Sequence, residues 1–161
     1  MPPGLHTFLY GGRKALLLLH AASAVLLLGS ATHLAAVAWR RLRGGRSGGA
    51  LERRWGRVQA LAFGAVYALG ALLYPTYRVH VRGLYLDRHY PWVANLFDVK
   101  ENLATMALPL SLGVALLAGR LTDEPDDRAA VRAWCSMALF VAAVVWFNTL
   151  SGWLIVSYRS V

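Results

Sequence analysis

Two histidines interrupt the apolar run "ALLLLHAASAVLLLGSATHLAAVAW": His20 near its start and His33 thirteen positions later. A neutral imidazole surrounded by hydrocarbon can ligate iron, copper or zinc, or relay protons. Thirteen residues of helix set the two rings about 20 Å apart along the axis and roughly 140° apart around it, so they do not meet one small ligand. A second stretch, "YPTYRVHVRGLYLDRHYPWVANLFDVKEN", gathers Arg78, His80, Arg82, Arg88, His89 and Lys100 with Asp87, Asp98 and Glu101 between two apolar runs. The guanidinium groups of Arg78 and Arg82 suit carboxylates, haem propionates included, because each offers a charged bidentate fork. Tyr74, Tyr77, Tyr85, Tyr90, Trp92 and Phe97 would wall a flat porphyrin or quinone. They suit an interfacial aromatic belt equally well, and the belt is the preferred reading.

The elements that must position these groups are membrane helices. Of the 161 residues, 57% are hydrophobic and 16% charged, with a mean hydropathy of +0.44. Soluble domains carry about 25% charge. Four runs approach the roughly 20 apolar residues that a transmembrane helix needs: Ala15–Trp39, Val58–Pro75, Leu103–Gly119 and Trp134–Ser157. The "RK" ahead of the first run also fits a secretory signal, but the length of the run and its two histidines favour a retained span. Little sequence remains outside the runs, so the chain reads as a single domain. The expected fold is all-α: an integral membrane bundle of four transmembrane helices, with a partly structured outer loop between helices two and three. Ala60, Gly64 and Ala68 on span two, and Gly29 with His33 on span one, predict seams where small residues let helices approach.

Charge sets the orientation. "RRLRGGRSGGALERRWGR" holds seven arginines and one glutamate between spans one and two, and "RLTDEPDDRAAVR" adds three arginines after span three. Short loops rich in arginine stay cytoplasmic. The chain is therefore expected to be multi-pass in the plasma (inner) membrane with both termini on the non-cytoplasmic side, although Arg13, Lys14 and the basic residues of 74–102 oppose this. The net charge of +9 belongs to membrane edges and anionic lipid headgroups, not to nucleic acid, for which no module is present. The single Cys135 forms no internal disulfide, and no C-x-x-C-H is present for covalent haem.

In that orientation depth sorts the polar residues. His20, Tyr74, Arg78, His80, Arg82, Lys100, Glu101 and Asn148 converge on the outer level, and His33 stands alone near the cytoplasm. Ionisable groups at membrane depth face a bundle interior or cavity and mark sites by default. The plainer readings are a histidine bonded across a helix seam for His20, a headgroup-anchoring stripe for Arg78 and Arg82, and an ion-paired helix start for Lys100. A lysine opposes the dipole at a helix start, which makes Lys100 the odd member of that set. For His33 a structural hydrogen bond or snorkelling is expected. Alternation would put Arg78, His80 and Arg82 on one face of an extended segment; a helix continued past Pro75 would group Arg78, Arg82 and His89 instead.

Spacings of thirteen or fourteen between histidines also occur in di-haem b cytochromes, but spans two to four contain no matching pair. Span one, "RKALLLLHAASAVLLLG" with His20 and Gly29, resembles the opening helix of the four-helix membrane families around the haem-binding protoporphyrinogen IX oxidase and the copper-resistance D proteins. "LFDVKENL" places Lys100 as in the W-x-x-x-K type start of the oxidase's third helix, and "WFNTL" offers Asn148 for its last. The oxidase's arginine-containing continuation of helix one and its Asn-Glu-x-Pro are absent. The resemblance thus implies haem b binding with His20 as axial ligand, not protoporphyrinogen oxidation.

The resulting expectation is a haem b-binding membrane protein, working in electron transfer or as a small membrane oxidoreductase, with quinone as a further candidate. His80 would be the second ligand, His89 or Lys100 its substitutes, Arg78 and Arg82 the propionate clamps, and Asn148 a cofactor contact. The alternative is a non-catalytic accessory subunit of a larger membrane complex that binds lipid or partner helices. A proton or metal pathway through His20, Lys100 and Glu101 is disfavoured by the lack of acids deeper in the bundle. Membrane lipid, a redox partner and an oligomeric assembly are all compatible with these features.

Overall fold

A computed structural model describes residues 3–45, 49–123 and 127–158. In chain order these form α1 (Pro3–Leu42), α2 (Gly49–Thr76), a π-helix (Tyr77–Leu86), the single turn α3 (Asp87–His89), α4 (Pro91–Asp123) and α5 (Arg128–Tyr158). Four helical stretches are long and apolar enough to cross a membrane: Gly11–Leu42, Gly49–His89, Pro91–Leu121 and Arg128–Tyr158. Each apolar run read from the sequence lies within one of them and is shorter than it. The link between the second and third runs is not the partly structured loop expected. It is helical to His89, breaks at Tyr90 and is helical again from Pro91.

The helices pack as a square: α1 against α2 and α5, and α4 against the same two, so that α1/α4 and α2/α5 are the diagonals. At one end, the arginine end, α1 closes with Arg40 and Arg41 in its last turn, the favourable sign for a helix carboxyl terminus. Gly44, at φ 84°, turns the chain left-handed. The Gly45 N–H reaches the Arg40 carbonyl at 3.0 Å and the Gly44 N–H reaches that of Arg41 at 3.1 Å, a Schellman closure that favours glycine. Arg41 forks both oxygens of the buried Glu52 at 2.8 Å, tying α1 to the first turn of α2. α5 starts on an Asp127 cap, whose Oδ1 accepts the N–H groups of Ala129 and Ala130 at 3.0 and 3.1 Å.

The tight helix seams differ from those expected. A Cβ at Gly29 or Gly64 would meet nothing within 4 Å, so neither glycine marks a close approach. The close approach is at Gly56, where a Cβ would lie 3.3 Å from the Ala115 Cα, and α2 and α4 nearly touch backbone to backbone.

At the opposite end Pro75 lies inside the helix. Proline lacks an N–H and crowds the carbonyl four residues back, which disfavours continued α-helical hydrogen bonding. The coil widens to the i→i+5 pattern over Tyr77–Leu86. Its buried residues Tyr77, Val81 and Leu86 are spaced by four and five, as a wider turn requires. A Cβ on Gly83 would stand 3.2 Å from the Arg78 carbonyl oxygen, five residues back, so a glycine gives this turn its room. The buried face packs on Val93, Ala94 and Phe97 of α4 and Ile155 of α5. Tyr90, turned out of the helical region at φ −142° and ψ 64° before a proline, ends the segment, and Pro91 takes the first position of α4.

Candidate polar site at the π-helix end

One turn and a half before Pro75, all four long helices contribute to a cavity of about 100 Å³. α1 contributes His20, α4 Lys100 and Glu101, and α5 Asn148, with Leu27, Phe63 and Val145 among its apolar lining. His20 lies against α2 where that helix has no side chain. A Cβ on Gly70 would be 3.4 Å from His20 Cε1. The His20 ring is within reach of the Val66 backbone, but its Nδ1 is buried without a close hydrogen-bond partner, and so is the Asn148 Oδ1, whose amide Nδ2 donates to the Val144 carbonyl at 2.9 Å. Lys100 Nζ donates to Glu101 Oε1 at 2.8 Å and stands 5.0 Å from the Phe97 ring centroid. The Lys100–Glu101 pair exists, but not at a helix start. α4 begins at Pro91, which puts Lys100 about 14 Å along it and removes the dipole conflict read from the sequence.

A groove of about 540 Å³ between α2 and α4 shares Tyr67 and Glu101 with the cavity and is lined further by Tyr74, Phe97, Asp98 and Asn102. The Tyr67 hydroxyl meets Thr105 Oγ1 at 3.2 Å across the two helices. Tyr74 and Phe97 stack at 6.1 Å, and Tyr77 stacks on the other partner of that pair, Phe97, at 4.1 Å. Tyr90 and Trp92 close on Tyr158 of α5 at 4.9 and 5.4 Å. The aromatics of the link are thus largely packed on one another.

Of the residues singled out in the sequence, His20, Lys100, Glu101 and Asn148 share the cavity, and Tyr74 borders the groove. Arg82 reaches the groove through Asp98, with Nη2 donating to Oδ2 at 2.9 Å, and its Nε lies 3.5 Å from Asp87. Arg78 is exposed, its guanidinium 6.0 Å over the Tyr74 ring. His80 and His89 are exposed, and His89 rests 4.9 Å from the Tyr85 ring. His33 lies toward the arginine end, 4.9 Å from the Trp55 ring.

These positions bear on haem b directly. The bare Nδ1 of His20 suits an axial donor. The other basic side chain lining the cavity is Lys100, however, while His80 and His89 do not line it. Arg82 already holds two carboxylates. This side-chain arrangement does not form a seat for a bis-histidine haem. No group of three His, Cys, Asp or Glu side chains could hold a metal ion among the described residues.

The arrangement suits a smaller polar ring. A cation, a carboxylate, an imidazole nitrogen and an amide oxygen surround the cavity, beside a groove with aromatic sides. Sequence reasoning missed Tyr67, Gly70 and Phe63. The phenol of Tyr67 inside an apolar run was a usable signal; Gly70 and Phe63 carried none, because only the register of α1 against α2 selects them. The chain matches no family model, no curated protein and no solved structure.

Proposed function

We propose that this chain is a multi-pass protein of the plasma (inner) membrane that binds a quinone-class ring in its outer half and works in electron transfer. The arginine end would face the cytoplasm and both termini the other side, by the distribution of arginine between the connecting segments. The observation that carries the reading is the joint lining of one cavity by an unpartnered imidazole nitrogen and the Lys100–Glu101 pair, next to the groove between α2 and α4. A quinone offers two carbonyl oxygens as hydrogen-bond acceptors and an apolar tail. Lys100, and His20 in its Nδ1–H form, would donate to a carbonyl oxygen, while the faces of Tyr74 and Phe97 would flank the ring. Reduction takes up two electrons and two protons. Glu101 and His20 are the groups here that can pass a proton, and a redox partner would deliver the electrons.

The groove of about 380 Å³ lined by Arg53, Arg54 and Arg57 with Val58 and Leu61 supports a second reading, an accessory subunit of a larger complex that binds lipid. Guanidinium groups beside apolar residues suit the headgroup and upper chain of an anionic lipid.

Calorimetric titration of a short-chain quinone into the protein in nanodiscs tests the proposal. Saturable binding is expected, weakened at least tenfold in His20→Ala with helix content unchanged. A colourless protein that binds no quinone would favour the accessory reading, whereas b-type bands in a reduced-minus-oxidised spectrum would favour the haem that the family resemblance implies.

A further inference from the structure

A second polar cluster lies deeper in the bundle, outside the cavity. Gln59 is completely buried, yet neither its Oε1 nor its Nε2 has a hydrogen-bond partner. Ser111 is equally buried and its Oγ has none; the His33 Nε2 is buried in the same condition. The packing of α2 on α4 makes Gln59 and Ser111 neighbours. Gly56 abuts Ala115, and eleven residues further along α2, Tyr67 meets Thr105. In that antiparallel register Gln59, three residues past Gly56, comes level with Ser111, four residues before Ala115. Both side chains are wholly buried, so both face the interior of the square. His33 joins them from α1: its ring contacts Trp55, which shares a face of α2 with Gln59 at a spacing of four. The neighbouring hydroxyls of α1 are satisfied within the helix: Ser30 donates to the Leu27 carbonyl at 3.0 Å and Thr32 to the Leu28 carbonyl at 2.7 Å.

Buried polar groups are bonded to protein or to ordered water in nearly all folded proteins, and an amide left with neither is costly. The amide supplies a donor and an acceptor, the hydroxyl both, and the imidazole either. Together they match the roughly three hydrogen bonds that a buried water makes. We propose that Gln59, Ser111 and His33 bind at least one ordered water in the middle of the bundle. This site is separate from the His20 cavity. Eleven residues of α2, about 16 Å, separate Gln59 from Gly70, and Leu27, Ala31, Ala62, Phe63 and Ala107 pack between the two levels. The proposal does not depend on what the cavity binds.

The test is nuclear magnetic resonance of the full chain, with nitrogen-15 in glutamine, in micelles. A water cross-peak to the Gln59 side-chain amide is expected, lost in Ser111→Ala. Thermal unfolding of Gln59→Leu, Ser111→Ala and the double variant supplies the second readout. Each single change should lower Tm by roughly 2–6 °C, and the double change by less than the sum. Absence of the cross-peak in the wild-type protein overturns the proposal. If the cross-peak is absent, additive or stabilising substitutions would mean a dry pair, and coupled ones a direct Gln59–Ser111 bond.

Discussion

At the scale of single residues, the neighbourhood of His20 is set by a glycine opposite it. Leucine at Gly70 would occupy the space of the imidazole, whose Cε1 is 3.4 Å from the position of a Cβ there. Gly70→Leu is therefore expected to weaken quinone binding at least tenfold while circular dichroism reports unchanged helix content. Glu52 is the other sensitive residue, since its carboxylate is fully buried against Arg41. Glu52→Ala would leave the guanidinium buried without that carboxylate. It should cost about 3–5 kcal/mol in denaturant unfolding, whereas substituting the exposed Arg54 should change little. His20 and Asn148 were legible in the sequence because ionisable or amide groups inside apolar runs are expensive to bury and face inward. Gln59 carries the same signal and was passed over among the arginines that precede it. Lys100 stood out only as a lysine at an expected helix start, which the true start of α4 at Pro91 displaces. The Arg41–Glu52 pair was hidden for another reason: its members looked like loop charges, and only the lengths of α1 and α2 bring them into the core.

Among elements, the π-helix is the feature the sequence did not disclose. The spacing of "YRVHVRGLYL" admits both an alternating strand and a helix continued past Pro75; the chain does continue as helix, but with the wider π turn in place of the 3.6-residue period. The buried triplet Tyr77, Val81 and Leu86 fits only the wider turn. Gly83→Val would drive a branched side chain against the Arg78 carbonyl, at 3.2 Å from the Cβ, and is expected to destabilise by about 1–3 kcal/mol, as overpacking does. The helix seams give a paired prediction. Gly56→Val would force α2 from α4, because the Cβ meets backbone at 3.3 Å, and should cost a similar amount. Gly29, exposed and without close neighbours, should tolerate alanine and gain about 0.5–1 kcal/mol from helix propensity. Thermal unfolding in one detergent would rank the three. Small residues at spacings of four marked helix surfaces in the sequence, but which surface meets a partner depends on the order of the helices around the square.

For the whole molecule, the number of long helices followed from hydrophobic run length, because crossing a bilayer takes a fixed length of helix. Their extents did not, since polar residues continue each helix past its apolar run: Pro91–Asn102 ahead of the third, and Gly49–Arg57 ahead of the second. The convergence of His20, Lys100 and Asn148 was foreseen from alternating helix direction alone, and the cavity joins them with Gly70. The proposed orientation predicts that a membrane-impermeant thiol reagent on intact cells labels Ser157→Cys and spares Arg43→Cys; the buried Cys135 gives a low background. The central claim, that the cavity around His20 and the adjoining groove receive a quinone-class ring, is tested most directly by cross-linking a photoreactive quinone to the protein in nanodiscs and sequencing the adducts. Label is expected on peptides carrying Tyr67–Tyr74 and Phe97–Asn102, and its loss in His20→Ala. Label spread over the exposed Leu18, Leu61 and Leu116, indifferent to His20→Ala, would contradict the claim.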